Sequence, residues 1–184
     1  MYKGDLIYAA NWYKEYSKIT FWNELDYIGI QGYFPIAKSS YSDKDDFKKS
    51  WRKYKKSIAK IHKKYGKPIV FTEIGYVNHH NAATKPWVWP QDIKGEQTTS
   101  TSIQTQAYES FFESLWDEDW FYGAFIWEWH HPTYKEKTLE SYNTNREKRL
   151  ALWQSQSDNN FNSKFTFSPQ KSPALSVIKK WYQK

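Results

Sequence analysis

The 184-residue sequence contains no cysteine, which excludes disulfide bonds and metal sites built on thiolates. It also has no stretch near the roughly 18 consecutive apolar residues that a membrane-spanning helix requires. The first eleven residues show no basic segment followed by an apolar one, so they lack the pattern of a secretion signal. We therefore expect a soluble chain without a targeting segment, and its cellular location stays open.

The charge is unbalanced, with 27 lysines and arginines against 20 aspartates and glutamates and a net charge of +7. Such an excess can indicate an anionic partner, such as a nucleic acid or a membrane surface. Much of it falls between residues 48 and 64, where basic residues alternate with apolar ones at helical spacing. This pattern is typical of the solvent-facing side of one helix. We therefore expect neither partner; a steep salt dependence of oligonucleotide binding would contradict this.

Aromatic residues are abundant, since 11 Trp, 15 Tyr and 11 Phe make up 20% of the sequence. Aromatic rings pack hydrophobic cores, and they also stack on the C–H faces of sugars and on nucleic-acid bases. Composition alone therefore leaves three explanations open: a carbohydrate ligand, a single-stranded nucleic acid, and a large aromatic core.

Four short, nearly continuous apolar runs predict strands, at residues 6–10, 27–31, 68–73 and 123–128. Runs of this kind are typical of parallel sheets, whose strands are covered on both faces. Apolar residues spaced by three and four predict helices at 13–25, 43–65, 101–116 and 172–182, the last with Ser172 as N-cap and Pro173 at its first position. The length suits one domain, so we predict a single α/β domain over residues 1–184 with a parallel sheet.

Polar and aromatic residues stand at or just after the end of each predicted strand. Because parallel strands share one carboxyl end, these side chains should converge on a single rim, where barrels build their active sites. A rim of this composition is the expected lining of a sugar pocket. The residues are Asn11, Trp12, Tyr33, Glu73, Trp127, Glu128 and Trp129.

Two connections, 78–100 and 130–171, exceed the usual loop length, which predicts functional loops. Trp87 and Trp89 in the first of them are candidates for an outer sugar platform or for a contact that fixes the loop. Histidine pairs occur at residues 79–80 and 130–131. Adjacent imidazoles do not easily face one ion, and no histidine follows at helical spacing, so we predict no metal site.

Several separated motifs resemble the C-terminal half of glycoside hydrolase family 113. They are Tyr8-Ala9-Ala10-Asn11-Trp12, Phe21-Trp22 with the run 25–30, the run 67–76 that contains Phe71-Thr72-Glu73-Ile74-Gly75-Tyr76, Trp127-Glu128-Trp129, and Ser168-Pro169-Gln170 with Pro173-Ala174. The resemblance implies a (β/α)8 TIM barrel of the retaining type, represented here by strands five to eight and their helices. It further implies a β-1,4-mannanase activity on β-linked oligo- or polysaccharides, without a cofactor.

The resemblance also implies roles for individual residues. Glu73 would be the nucleophile, and Tyr33 would hydrogen-bond its carboxylate and keep it ionised. Trp127 would form the floor of the subsite for the cleaved sugar. Asn11 and Trp12 would be further sugar contacts. Beside the resemblance, we also predict Tyr76 and Trp87 as substrate-binding residues. For Tyr33, Trp12 and Trp127, ordinary packing at the end of the barrel is the alternative.

The sequence departs from the family in one respect, because the acid/base residue of the fourth strand is absent. A retaining glycosidase needs two carboxyl groups about 5–5.5 Å apart. Strand alternation directs Glu128 away from the face of Trp127 and Trp129, so it could replace the missing acid only if the rim is distorted. A catalytically inactive half-barrel or a sugar-binding pseudoenzyme is therefore the alternative function. An open half-barrel exposes two sheet edges, which predicts self-association or a complementary N-terminal half.

Overall fold

The computed structural model describes residues 2–94, 98–129 and 164–184. Within these residues, four parallel strands form one sheet in the order β1-β2-β3-β4, and helices lie between them. The predicted α/β fold with a parallel sheet is confirmed. The elements are β1 (Ile7–Asn11), a 3-10 helix (Phe21–Glu24), β2 (Tyr27–Gln31), α1 (Lys44–Tyr65), β3 (Ile69–Ile74), a 3-10 helix (Pro90–Asp92), α2 (Thr101–Leu115), β4 (Phe121–Ile126) and α3 (Ala174–Tyr182).

The helix predicted at residues 13–25 is wrong. Side-chain hydrogen bonds fix the backbone at and just before its predicted start, since Asn11 Oδ1 accepts from the Tyr13 amide at 2.8 Å and the Glu15 carboxylate accepts from the Asn11 amide at 2.6 Å. Lys14 has a φ of 62°, which is not compatible with a right-handed helix. Local hydrogen bonds of this kind compete with helix formation, and only the short 3-10 helix Phe21–Glu24 forms.

The other predicted elements are present with shifted ends. Strand β4 ends at Ile126, so Trp127 and Glu128 follow the strand instead of belonging to it. Helix α3 begins at Ala174, with Pro173 in the N-cap position, and Ser172 Oγ accepts from the Ala174 amide at 3.2 Å. Most of the predicted connection 130–171 lies outside the described residues.

The core lies between the sheet and the helices, and its centre is aromatic. Trp51 of α1 is fully buried, with its ring centroid 6.2 Å from that of Phe71 in β3 and 5.8 Å from that of Phe111 in α2. Phe34, just after β2, packs against Trp51 at 5.7 Å. A large share of the aromatic content therefore serves the core, one of the three explanations that composition left open.

Helix α1 is fixed at both ends and along one side. The Asp43 carboxylate accepts a hydrogen bond from the Asp46 amide at 3.0 Å, and Gly66 ends the helix at a φ of 67°, a conformation that glycine adopts without steric cost. Lys44 Nζ lies 2.9 Å from Glu109 and 2.7 Å from Glu113, both on α2. Part of the positive face of α1 is thus paired with its neighbour, at a gain of about 0–1 kcal/mol per exposed pair.

On the sheet side opposite the helices, the exposed side chains among the described residues belong to the edge strands, with Ile7 on β1 and Tyr122 and Phe125 on β4. Tyr27 and Tyr122 flank β3, and their rings lie 5.4 Å apart across it. Gly29 lies between Ile7 and Thr72, because a Cβ at this position would come within 2.9 Å of both side chains. None of the described helices is long and apolar enough to cross a membrane.

Candidate active site

Glu73 lies near the carboxyl end of β3, and each oxygen of its carboxylate accepts a hydrogen bond. The Tyr33 hydroxyl donates to Oε2 at 2.9 Å, and Gln31 Nε2 donates to Oε1 at 3.3 Å. Both donors come from the end of β2 or the residues just after it. The two hydrogen bonds orient the half-buried carboxylate.

A register shift explains how Gln31 reaches Glu73. Strands β2 and β3 pair Ile30 with Phe71, and the next pair is Gln31 with Glu73, so Thr72 has no partner on β2. The shift brings the amide of Gln31 next to the carboxylate. Gln31 is not among the predicted site residues, and the signal for it in the sequence is a polar residue at the end of an otherwise apolar strand.

Tyr33 is held as a hydrogen-bond donor. Burial raises the pKa of its hydroxyl well above the ordinary value, and the hydrogen bond to Glu73 and the negative charge of Glu73 raise this pKa further. The charge of Glu128 acts in the same direction. The hydroxyl therefore stays protonated at neutral pH. The predicted contact between Tyr33 and Glu73 is present in the structure.

Glu128 lies closer to this pair than strand alternation predicts. Its charge is within electrostatic range of the Tyr33 hydroxyl. Strand alternation does not apply to Glu128, because β4 ends at Ile126. The peptide bond between Trp127 and Glu128 is cis.

A close approach of the backbone places Trp127 next to Ile74 and Gly75, at the end of β3. The Trp127 amide donates to the Ile74 carbonyl at 2.8 Å, and a Cβ on Gly75 would lie 2.2 Å from the Trp127 carbonyl oxygen. Only glycine permits this approach. The Trp127 side chain is half-buried, and the ring of Trp89 meets it edge-on at 6.1 Å.

A second pair of indoles lies at the end of β1. Trp12 and Trp87 are stacked, with ring centroids 5.1 Å apart and an interplanar angle of 23°. Trp87 keeps 42% of its surface exposed. Asn11 is also exposed, and its side-chain oxygen accepts from the Tyr13 amide. The stack attaches the loop after β3 to the end of β1 and leaves an aromatic surface open.

Tyr76 does not fit the predicted role of a sugar contact. Its side chain is fully buried, and its ring meets that of Tyr108 edge-on at 5.2 Å. Tyr76 packs into the core against α2, where a sugar does not reach it.

The histidines do not form a metal centre in the described part of the chain. His79 is buried, and its Nδ1 accepts from the Asn81 amide at 3.2 Å. Among the described residues, no group of three or more His, Cys, Asp or Glu side chains could hold an ion. His130 and His131 lie outside the described residues.

Several buried tyrosines predict a loss of stability at alkaline pH. Burial raises the pKa of Tyr182 to about 12, and it raises the pKa values of Tyr76 and Tyr108 as well. Unfolded tyrosines ionise near pH 10, so the stability from these neutral hydroxyls is complete below pH 10 and is lost as the pH rises toward 12 and beyond. We expect the urea midpoint to fall steadily above pH 10.

Circular dichroism and tyrosinate absorbance, recorded on the same samples, check this expectation. A Tyr108→Phe variant removes one buried ionisable hydroxyl and should reduce the alkaline loss. Ionisation of all tyrosines near pH 10 in a chain that stays folded would contradict the prediction.

The sequence matches the family model of Glycoside Hydrolase Family 113 over residues 1–147. Two solved structures of GH113 β-1,4-mannanases share 25% and 26% sequence identity with the chain, at TM-scores of 0.68 and 0.69. The GH113 β-mannanase AaManA from Alicyclobacillus acidocaldarius, solved in complex with ManMIm, shares 21% identity at a TM-score of 0.67, which supports the fold alone. No curated protein matches the sequence.

Each of these alignments covers 99% of this chain and 46% of the solved one, so the chain spans about half the length of the mannanases that it matches. Four parallel strands with their helices thus correspond to a partial (β/α)8 TIM barrel, as the resemblance predicted. The family model covers most of the sequence, and the chain belongs to Glycoside Hydrolase Family 113, with a glycoside hydrolase-like fold.

Proposed function

We propose that this chain provides the nucleophile side of a retaining β-1,4-mannanase site, with Glu73 as the nucleophile. The observation that carries the proposal is the Glu73 carboxylate, oriented by Tyr33 at 2.9 Å and by Gln31 at 3.3 Å at the carboxyl end of a parallel strand. Active sites of barrels of this kind are built at that end. The proposal takes residues 1–184 to form one domain.

The proposed reaction is a double displacement. One oxygen of Glu73 attacks the anomeric carbon as the glycosidic bond breaks, and the leaving oxygen takes a proton from an acid. Water then attacks the glycosyl-enzyme, a base takes its proton, and Glu73 is released as a carboxylate. In our proposal the acid/base group belongs to the part of the barrel that this chain does not supply. Tyr33 and Gln31 position the Glu73 carboxylate.

Aromatic side chains at the rim favour a sugar as the ligand. Trp127 lies at the end of β3, where its amide donates to the Ile74 carbonyl, and would form the floor of the subsite for the cleaved sugar, while Trp12 and Trp87 offer a second surface. Such rings stack on the C–H faces of pyranosides. Asn11 would add a polar contact at the same end of the sheet. The choice of β-1,4-linked mannose rests on the two mannanases at 25% and 26% identity.

A second candidate function is a catalytically inactive half-barrel that at most binds sugar. The observation in its favour is the coverage, since the chain corresponds to 46% of each mannanase that it matches. A site that lacks its acid would bind a mannan oligosaccharide without cleaving it.

An activated substrate separates the two candidates, because it removes the need for an acid. In 2,4-dinitrophenyl β-mannoside the leaving group departs as a stable anion, so Glu73 alone can be glycosylated. We expect the chain to release dinitrophenolate and to release more of it with azide, a nucleophile that needs no base to attack the glycosyl-enzyme. Absence of release together with binding of mannohexaose would favour the second candidate.

A further inference from the structure

Gln104 is a buried polar residue of α2 that joins two separate segments of the chain. Its side chain is completely buried, and Nε2 donates to the Tyr76 carbonyl at 2.8 Å and to the Phe167 carbonyl at 3.3 Å. The two segments are in contact, because a Cβ on Gly75 would lie 3.1 Å from Phe167 Cδ1. Burial of an amide is unfavourable unless it is hydrogen-bonded, so the two donations account for a polar residue on the buried face of α2.

Asn78 attaches the chain around Phe167 to the same loop after β3. The Asn78 amide donates to the Thr166 carbonyl at 3.0 Å, and Asn78 Oδ1 accepts from the Thr166 amide at 2.7 Å. Asn78 Nδ2 donates to the Lys164 carbonyl at 3.2 Å. We call residues 164–168 the supporting segment, because these hydrogen bonds and those of Gln104 hold it next to the end of β3.

Phe167 of the supporting segment lies behind the aromatic rim of the site. It forms a small buried cluster with Val77 and Phe165, and Trp127 packs against this cluster. The Phe167 ring also meets that of Trp89 edge-on, with centroids 6.1 Å apart. Trp89 in turn meets Trp127 edge-on at 6.1 Å. The supporting segment therefore contacts both indoles on this side of the rim.

Trp89 and Trp127 depend on packing for their position, in contrast to Tyr33. The Tyr33 ring also contacts Phe167, at 6.4 Å, but its hydroxyl is held by the hydrogen bond to Glu73. Within the described part of the chain, neither indole nitrogen of Trp89 or Trp127 donates a hydrogen bond, and ring contacts place both side chains. A displacement of Phe167 would therefore move the two indoles more readily than Tyr33.

We propose that Gln104 is a positioning residue for sugar binding, because its hold on Phe167 sets the place of Trp127 and Trp89 at the rim. The inference rests on the proposed function, in which Trp127 contacts the cleaved sugar. A ring supports a sugar well only when its own side chain is fixed by the residues packed around it, so a small displacement weakens binding. The groups that orient Glu73 come from the end of β2 and the residues just after it, so the rate of attack by Glu73 changes much less.

Gln104→Met in the full chain tests the role of the two donations. Methionine is an unbranched side chain of similar length, and Gln104 Oε1 has no hydrogen-bond partner among the described residues, so the variant removes only the donations to the two carbonyls. We expect the Kd of mannohexaose, measured by titration calorimetry, to rise roughly tenfold. The burst rate of dinitrophenolate release at saturating 2,4-dinitrophenyl β-mannoside should change by about threefold at most.

The matched control is Ser110→Ala. Ser110 is also a completely buried polar residue of α2, but its hydroxyl donates to the Ala107 carbonyl of the same helix at 2.8 Å. This variant should bind mannohexaose with the wild-type Kd. A purely structural role of Gln104 would instead lower the fraction of folded chain, which reduces the number of binding sites per chain and leaves the Kd unchanged.

The outcomes separate this inference from the proposed function. If the wild type binds mannohexaose and Gln104→Met binds it with the same Kd, the positioning role of Gln104 alone is overturned. If the wild type neither binds mannohexaose nor releases dinitrophenolate, the proposed function fails and this inference fails with it. If Gln104→Met does not fold, Phe167→Leu decides, because it shortens the contact with Trp89 and keeps the hydrogen bonds of Gln104. This variant should raise the Kd in the same way, and an unchanged Kd would overturn the inference.

Discussion

Glu73→Gln is expected to abolish the release of dinitrophenolate from the activated mannoside, with a decrease of roughly 10³-fold or more. The amide is nearly the same size as the carboxylate, but it is a much poorer nucleophile and cannot form the glycosyl-enzyme. Tyr33 and Gln31 would remain in place, so the fold and sugar binding should change little. Stopped-flow absorbance measures the release, and mass spectrometry of the denatured wild type should show one mannosyl adduct on Glu73.

The matched control for this variant is Glu24→Gln, an exposed carboxylate on the 3-10 helix Phe21–Glu24. It should release dinitrophenolate at the wild-type rate. Equal release by the wild type and by Glu73→Gln would exclude Glu73 as the nucleophile. An adduct on another carboxylate, Glu128 for instance, would move the nucleophile to that residue.

Trp51→Ala is expected to lower the free energy of unfolding by about 3–5 kcal/mol, which is the usual cost of removing a large buried aromatic side chain. Trp51 is fully buried, and its ring joins Phe34, Phe71 and Phe111, which belong to three different segments. Its removal leaves a cavity between α1, β3 and α2, and these three elements cannot all shift to fill it. Urea titration followed by circular dichroism measures the loss.

Trp51→Phe is an informative companion variant. No described residue accepts a hydrogen bond from the buried Trp51 Nε1, so phenylalanine removes an unsatisfied donor as well as part of the ring. We expect a loss well below that of the alanine variant. Trp129→Ala, at a position that is 53% exposed, serves as the surface control. A similar loss in Trp51→Ala and Trp129→Ala would mean that the aromatic centre does not hold the helices to the sheet.

The strands and the large helices could be predicted because their signals are local. The apolar runs that became β2 and β3 are buried on both sides over most of their length, as a parallel sheet requires. Helix α1 follows the same logic, with Phe47, Trp51 and Ile58 buried on one face. The helix predicted after β1 is wrong because the positive φ of Lys14 and two side-chain hydrogen bonds fix a turn there. The spacing of apolar residues does not indicate such bonds.

The candidate site was predictable in part. The contact between Tyr33 and Glu73 follows from two strands that end at one rim, and the family resemblance named both residues. Gln31 was missed because its contact depends on a register shift between β2 and β3, which no local pattern encodes. The stack of Trp87 on Trp12 depends on the path of a long loop, and Tyr76 was misplaced because a residue beyond a strand end can turn back into the core.

Both groups that hold the Glu73 carboxylate come from the adjacent strand β2 and the residue pair that follows it. The orientation of the Glu73 carboxylate therefore depends on one pair of neighbouring strands, β2 and β3, rather than on the closure of the whole barrel. A chain that keeps β2 and β3 side by side can be joined to different remaining barrel units and still present the same oriented carboxylate. Substitutions in the rest of the barrel can then change the acid or the substrate while the orientation of the Glu73 carboxylate is kept.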